Sequence, residues 1–461
     1  MAVELDEGAG RLTVHGLLFR VCTEQIVELR NRLREPLWWE IAAKKELEIC
    51  SWIEQPDWAA RLSRQLLATV EGMEAHCLIA CSAALRALDT YHRERRIEVE
   101  RQVVDRIAFL APAASPIAEQ VPKDHRLDRS RSDLEHDLDS VLDLWWKVVD
   151  LEGFKVQPSF LCLPALVSEE LGRRFERRKD LRIALASPFA NLAFEASGDP
   201  SRRHSDDGTP YRFIGLAPAS MEAARKTLGE IVAACAEEEV DVLCFPELSL
   251  DTDLLAHLHL LLESSNSTLH PALVVAGSFH VSEATGWVNR CRAFDGFGRK
   301  LFEQDKCLPY RLPATQASEL PEELRALLGI DARGGFEDIQ LSSTLFVIDS
   351  SVGRLATPIC LDFSGQELRD LFVRTGTNLL FVPAMTPRLH DFQARARDLG
   401  TQTRATTFVA NSSWLLKRME LGPLVNRVLS YVPAKCAPQD TGRWLSEELV
   451  LFSIREMLGV A

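Results

Sequence analysis

An α/β layered fold preceded by an all-α N-terminal domain is the architecture this sequence predicts, and three observations predict it. Before about Lys179, apolar residues recur at the three- and four-residue steps of buried amphipathic helices. After Asp180, short apolar runs alternate with helical patterns. Several of those runs are joined in pairs by short turns, as hairpins are. At 461 residues the chain is longer than one hydrophobic core usually serves. Two domains are therefore expected, over 1–179 and 180–461.

In the first region the stripe starts at Trp58 and runs through Leu62, Leu66, Val70, Met73, Cys77, Cys81, Leu85 and Leu88. It places Cys77 and Cys81 in a core, the usual location of a free thiol. "APAASPIAEQVPKDHRLDRSRSD", over about 111–133, is rich in proline and charge and reads as a loop or linker. Helical patterning resumes through "LEHDLDSVLDLWWKVVD". The pairs Trp38-Trp39 and Trp145-Trp146 read as core anchors.

Beyond Asp180, "LRIALASPFA" reads as a buried strand, and a polar, loop-like insertion follows to about Tyr211. "SMEAARKTLGEIVAACAEEEV" is helical, "DVLCFPEL" a strand, and "DTDLLAHLHLLLESS" a helix. "PALVVAGSFHV" and "NRCRAFDGFGRKLFEQDK" are strands, the latter turning at Asp295–Gly298. "STLFVIDSSVGRLATPIC" is a further hairpin, "GQELRDLFVRTG" a helix, and "TNLLFVPA" and "TTFVANSS" strands.

Composition narrows the function. A net charge of −14 argues against nucleic-acid and membrane-surface partners, which want a basic face. The acidic start "MAVELDEGAG" lacks the order of a signal peptide. No charge-free apolar run reaches about 18 residues. The longest candidate, Leu66 to Leu88, is interrupted by Glu71, Glu74 and His76. Eleven cysteines, an odd number with no C-x-x-C pair, read as the reduced thiols of a cytoplasmic protein rather than a disulfide framework or zinc site.

Three chemically apt residues fall at strand ends. They are Glu247 after "DVLCFP", Lys306 after "RKLFEQD" and Cys360 after "RLATPI". Ligands of α/β sheets collect outside the carboxyl ends of strands. In this order and context the three segments resemble the carbon–nitrogen hydrolase (nitrilase) superfamily, over about 181–413. "TNLLFVPAMTP" and "RATTFVANSS" resemble the strands that follow its nucleophile. The N-terminal region carries no such resemblance. The resemblance implies a four-layer α-β-β-α sandwich and a Glu-Lys-Cys triad. It also implies a second glutamate between the lysine and the cysteine. Glu337 is preferred on its distance from Cys360, and Glu319, Glu322 and Glu323 are the alternatives. The interval from Lys306 to Cys360 is longer than the resemblance implies. The excess lies in "YRLPATQASELPEELRALLGIDARGG", a candidate lid. Pro358 departs from a central strand, where proline removes a ladder donor.

The residue types suit one chemistry. A thiol near its ordinary pKa of about 8.5 needs a base at neutral pH, and Glu247 is the candidate. Lys306 and the Leu361 backbone amide are candidates to stabilise the tetrahedral oxyanion. The expected reaction is hydrolysis of a small-molecule amide, in preference to a nitrile, through a Cys360 thioester. It needs no metal and no organic cofactor. One alternative is a Cys–His dyad with His390, the only histidine beyond Cys360. A second is an acyltransferase with the same triad. A third is a catalytically silent binding module whose helical region engages a protein partner. Arg388, Arg395 and Arg404 read as surface residues, and His280 and Asn289 stay unassigned. The resemblance also implies a homodimer. "PLVNRVLSYVP" and "WLSEELVLFSIREMLGV" are read as oligomer contacts or as a tail on their own core.

Overall fold

The computed structural model describes residues 10–33, 35–70, 74–94, 102–104, 106–110, 116–119, 147–191, 193–198, 208–264, 271–331, 333–420, 427–432 and 442–458. The chain divides into two units, Met1–Ala113 with Arg126–Phe154, and Ala114–His125 with Lys155–Ala461.

The first unit is built on α1 (Arg11–Glu24), α2 (Ile26–Leu33), α3 (Pro36–Cys50), α4 (Trp58–Val70) and α5 (Glu74–Glu94). Helices α1, α3 and α4 all pack on α5. The stretch "LIACSAALRAL" of α5 is apolar or small on nearly every side, so it is buried all round rather than along one stripe. Ala80, Ala83, Ala84 and Ala87 let its neighbours approach closely. Leu29, Ile49, Trp58 and Leu62 close the core. Cys81 is buried in it and Cys77 packs at its edge. Trp39 is exposed on α3. Met73 and Trp145-Trp146 lie outside the described residues, as does the linker at 111–133 except for a short helix, Pro116–Glu119.

The all-α expectation is corrected. β1 (Gln102–Val104), β2 (Ile107–Leu110) and β3 (Lys147–Asp150) form an antiparallel three-stranded sheet in this unit. The "KVVD" of β3 was expected at the end of a helix. Its paired valines, branched at Cβ, favour the pleated surface, and four residues are too few to show a period. The boundary at 179/180 is corrected as well. The second unit takes in β4 (Gln157–Cys162) and the helix Ala165–Arg178. On that helix Arg174 and Arg178 both reach the buried carboxylate of Asp241. An amphipathic pattern reports that a helix has a buried face, not which sheet the face meets.

The second unit carries two large sheets. The first has the order β11–β10–β9–β8–β5–β20–β19. Its strands are β5 (Arg182–Ala186), β8 (Val242–Cys244), β9 (Leu273–Glu283), β10 (Gly286–Asp295), β11 (Lys300–Asp305), β19 (Arg443–Ser446) and β20 (Leu449–Ser453). The other has the order β18–β17–β16–β15–β14–β4, from β14 (Thr344–Ser350), β15 (Gly353–Ala356), β16 (Leu379–Ala384), β17 (Thr406–Asn411) and β18 (Val428–Tyr431). β5, β8 and β9 run parallel, as do β15, β16 and β17. Every residue of β16 and β17 is buried, as in parallel strands covered on both faces.

The two sheets face one another, β17 against β5 and β16 against β8 and β9. Helices Met221–Glu237 and Thr252–Ser264 cover the outside of the first through Leu228, Ile231, Leu254 and Leu258. Helices Gln366–Thr375 and Leu389–Thr403 cover the second with Leu371, Phe372, Phe392 and Leu399. These are the four α-β-β-α layers. A smaller sheet, β12–β13–β7–β6, is made of β6 (Phe194–Gly198), β7 (Thr209–Leu216), β12 (Arg311–Pro313) and β13 (Gly334–Glu337). The polar stretch expected as a loop up to Tyr211 therefore holds β6 and the start of β7, which pair with each other. The C-terminal segments lie on their own core. β18 joins β17, β20 joins β5, and Ile454 and Met457 of the last helix are buried.

Candidate active site

Glu247, Lys306 and Cys360 each sit just past a strand, β8, β11 and β15 respectively, and Glu337 is the last residue of β13. The fold brings these ends together. Lys306 Nζ donates to Glu247 Oε1 at 2.8 Å and to Glu337 Oε2 at 2.6 Å. All three side chains are buried. Burial works against the lysine's charge, but the two carboxylates outweigh it and hold its pKa well above the ordinary value. Burial likewise pushes Glu337 up, while Lys306 and His280 pull it down to about 2. Lys306 and Glu337 are therefore charged and mutually compensated.

Two residues left unassigned by sequence complete this network. Asn289 Nδ2, on β10, donates to Glu247 Oε1 at 2.9 Å and to Glu337 Oε1 at 3.3 Å. His280 Nδ1, on β9, accepts the Phe213 N–H at 2.8 Å, so its proton is on Nε2, which faces Glu337 Oε1 at 3.2 Å. The tautomer is thus fixed by a backbone amide. Glu319 lies elsewhere and meets Arg388 at 3.9 Å, and Glu322 and Glu323 are exposed. Of the four glutamates considered, Glu337 is the one that shares the Lys306 ammonium with Glu247.

Cys360 opens a short helical turn, Leu361–Ser364, with backbone angles of φ +49° and ψ −106°. That left-handed conformation is costly for a side chain with a Cβ and persists where the surroundings over-determine it. Here the Cys360 N–H donates to Pro383 O at 2.8 Å and its carbonyl accepts the Phe363 N–H at 3.1 Å. Pro358 falls beyond the end of β15, so it breaks no ladder, and the concern raised by its sequence position is removed. The Glu247 carboxylate and the Met385 N–H both act on the charge of the thiol. Burial first, then Glu247, keep its pKa well above the usual thiol value, with Lys306 opposing. The Cys360 thiol is therefore protonated at neutral pH rather than a free thiolate. Leu361 N–H, at the first position of the turn, lies outside the helix's own hydrogen bonds and borders the same cavity as Cys360.

Three further residues position the constellation. Met385 N–H also donates to Glu247 Oε2 at 3.1 Å, tying the end of β16 to the base. Asn411, at the end of β17, brackets the next residue, accepting the Thr386 N–H at 2.9 Å and donating to Thr386 O at 2.8 Å. Asp362 joins the nucleophile turn to the lysine turn. Its carboxylate accepts the N–H groups of Cys307, Leu308 and Ile359 at 3.1, 2.7 and 3.3 Å. Burial raises Asp362 to about 7. At the base itself, β9 passes so close to the Phe245–Glu247 corner that a Cβ on Gly277, with φ +65°, would strike the Pro246 carbonyl.

The other sequence candidates fall away from this centre. His390 is exposed and its ring meets neighbouring Asp391, which removes the Cys–His dyad. Arg395 pairs with Asp398, and Arg404 ends the helix Leu389–Thr403 in a left-handed conformation. Among the described residues no group of three or more His, Cys, Asp or Glu side chains is placed to hold a metal ion. No described helix is long and apolar enough to cross a membrane.

Solved structures to which this chain is similar belong to the nitrilase superfamily. One is a member of branch 10 of that superfamily from Saccharomyces cerevisiae, 13% identical, covering 61% of this chain and 95% of its own at a TM-score of 0.38. Another is the NitFhit protein of C. elegans, also 13% identical, covering 61% and 64% at a TM-score of 0.38. A third is an amidase from Nesterenkonia sp., 16% identical, covering 59% and 89% at a TM-score of 0.36. No family model matches the sequence, and neither does any curated protein.

Proposed function

We propose that the α/β unit is a carbon–nitrogen hydrolase that cleaves an amide through a thioester on Cys360. The observation that carries the reading is the buried ammonium of Lys306 held between Glu247 and Glu337, with the Glu247 carboxylate raising the pKa of the Cys360 thiol beside it.

The chemistry follows from that arrangement. Cys360 Sγ attacks the amide carbon as Glu247 takes the thiol proton. The former carbonyl oxygen becomes an oxyanion, stabilised by the Lys306 ammonium and the Leu361 N–H. Glu247 and Glu337 keep that ammonium charged and aimed, with Asn289 holding both carboxylates, so the positive charge is in place before negative charge develops. The C–N bond then breaks, and Glu247 returns its proton to the leaving amine. Water adds to the thioester with Glu247 again as base. The S–C bond breaks, giving a carboxylic acid and restoring the thiol. A free thiolate is not required at any stage, which suits a thiol whose pKa is raised.

The test is release of ammonia from a panel of neutral primary amides, comparing wild type with Glu247→Gln. The wild type should turn over at least one amide, and the variant should lose at least about 100-fold in kcat. Equal turnover by the two would refute Glu247 as the base.

A further inference from the structure

The cavity over Cys360 holds information on what the site accepts. It measures about 410 Å³, within the roughly 300–1,000 Å³ range of small-molecule sites. Its walls are apolar. Phe213, Trp414 and Leu415 come from the body of the unit, and Leu320, Leu324 and Leu328 from the segment between Lys306 and Glu337. Leu324 and Leu328, four residues apart, share a face of the helix Glu322–Leu328, and Leu320 precedes that helix in extended backbone. They belong to the same hydrophobic cluster as Trp414 and Phe213. The candidate lid is thus a packed wall of the cavity, made of helices Ala314–Glu319 and Glu322–Leu328.

Charge is confined to the rim. Arg311, Glu319, Arg388 and Asp391 border the cavity, all four are exposed, and the signs balance. Arg388 and Glu319 also face each other at 3.9 Å across the mouth. Among the described residues, no buried cation or anion lines the cavity away from the Lys306 centre to recognise a charged substrate group, and moving an ion among these leucines without a partner is costly.

We infer that the substrate is a neutral carboxamide with an apolar body, selected by the leucine wall of the inserted segment. This rests on the hydrolase reading for its chemistry, but not for its binding. The amide carbon sits at Cys360, and the apolar body fills the space lined by Leu320, Leu324, Leu328 and Trp414. For a primary amide the departing ammonia needs almost no room, so the whole cavity serves the acyl chain.

The test uses linear primary amides from acetamide to decanamide, together with chains of equal length ending in a carboxylate or an ammonium. Ammonia release is measured on the wild type, and calorimetric binding on Cys360→Ser. The proposal expects kcat/KM to rise up to about fourfold per added methylene until the cavity is full, with charged ends at least tenfold poorer. Leu324→Trp should move the preferred length to shorter chains. If that variant does not fold, Leu324→Ala should move it to longer ones. Turnover that is flat with chain length, or best for charged ends, overturns the proposal and leaves the hydrolase reading intact. Binding to Cys360→Ser that tightens with length, without turnover by the wild type, supports the proposal and sinks the hydrolase reading. Neither turnover nor binding overturns the proposal.

Discussion

The two units differ in whether charge survives burial. In the helical unit Cys22, Cys81, His15 and His92 are driven toward neutrality. Burial raises the thiols of Cys22 and Cys81, the latter to about 12, and lowers His15 well below its ordinary value and His92 to about 4. The two histidine rings stack at 5.4 Å, uncharged. In the α/β unit, by contrast, Lys306 and Glu337 stay charged in the interior because each compensates the other. Burial alone pushes a group neutral, whereas full charges survive burial only where the fold builds partners for them. Such partners are expensive to assemble from four separate strand ends, and that is why the cluster reads as a reaction centre and the histidine pair as core.

Removing Lys306 would break this contrast most severely. Lys306→Met leaves Glu247 and Glu337 facing one another without a cation. The expected losses are about 3–5 kcal/mol in stability and about 100-fold or more in kcat. Denaturant midpoints and steady-state kinetics read the two effects separately. Glu337→Gln is milder, because the amide oxygen can still accept from His280 or Asn289. It should cost about 1.5–3 kcal/mol, the worth of a hydrogen bond to a charged group. It should lower kcat with little change in KM, since Glu337 acts through Lys306 rather than on substrate.

The helical unit offers the complementary test through pH. His92 has a folded pKa of about 4, below its unfolded value of about 6.5. The folded state therefore binds fewer protons, so its stability is full above about pH 6.5. It declines as pH falls toward 4, by up to about 3 kcal/mol. His92→Phe should flatten that decline in a denaturant series from pH 7 to 4, while Lys306→Met should not. A decline unchanged in His92→Phe would show that the ring is not buried neutral. The smallest effect is at the rim. Arg388→Ala removes an exposed ion pair with Glu319 and should change stability by no more than about 0.5 kcal/mol.

Some of this was legible in the sequence, and physics explains which part. Glu247 and Cys360 each follow an apolar run and Lys306 ends the second strand of a turn-linked pair, so their strand-end placement is local information. Glu337 was preferred over Glu319, Glu322 and Glu323 on its distance along the chain from Cys360, for a role that only the resemblance implied. His280 and Asn289 lie inside strands at ordinary alternating positions, and their role arises from β9 and β10 crossing behind two carboxylates, which no local pattern encodes. The strained backbone of Cys360 has no glycine beside it to announce the turn. Asp362 was visible two residues after Cys360, but two of its partners, the Cys307 and Leu308 backbone amides, lie at another strand end. The errors have a similar origin. β1 and β2 are three and four residues long and β3 is four, too short for periodicity. The helix Ala165–Arg178 lies in the region expected to be helical, but its docking on Asp241 depends on tertiary packing.

The most direct measurement is peptide-resolved labelling by iodoacetamide at pH about 7, with the exposed thiol of Cys162 as an internal reference. Cys360 is buried and its pKa is raised, so it should be the slower of the two unless Glu247 draws off its proton during attack. The account predicts that Cys360 labels faster than Cys162 in the wild type and more slowly than Cys162 in Glu247→Gln. Labelling of Cys360 no faster than that of Cys162 in the wild type, or unchanged by Glu247→Gln, would contradict it.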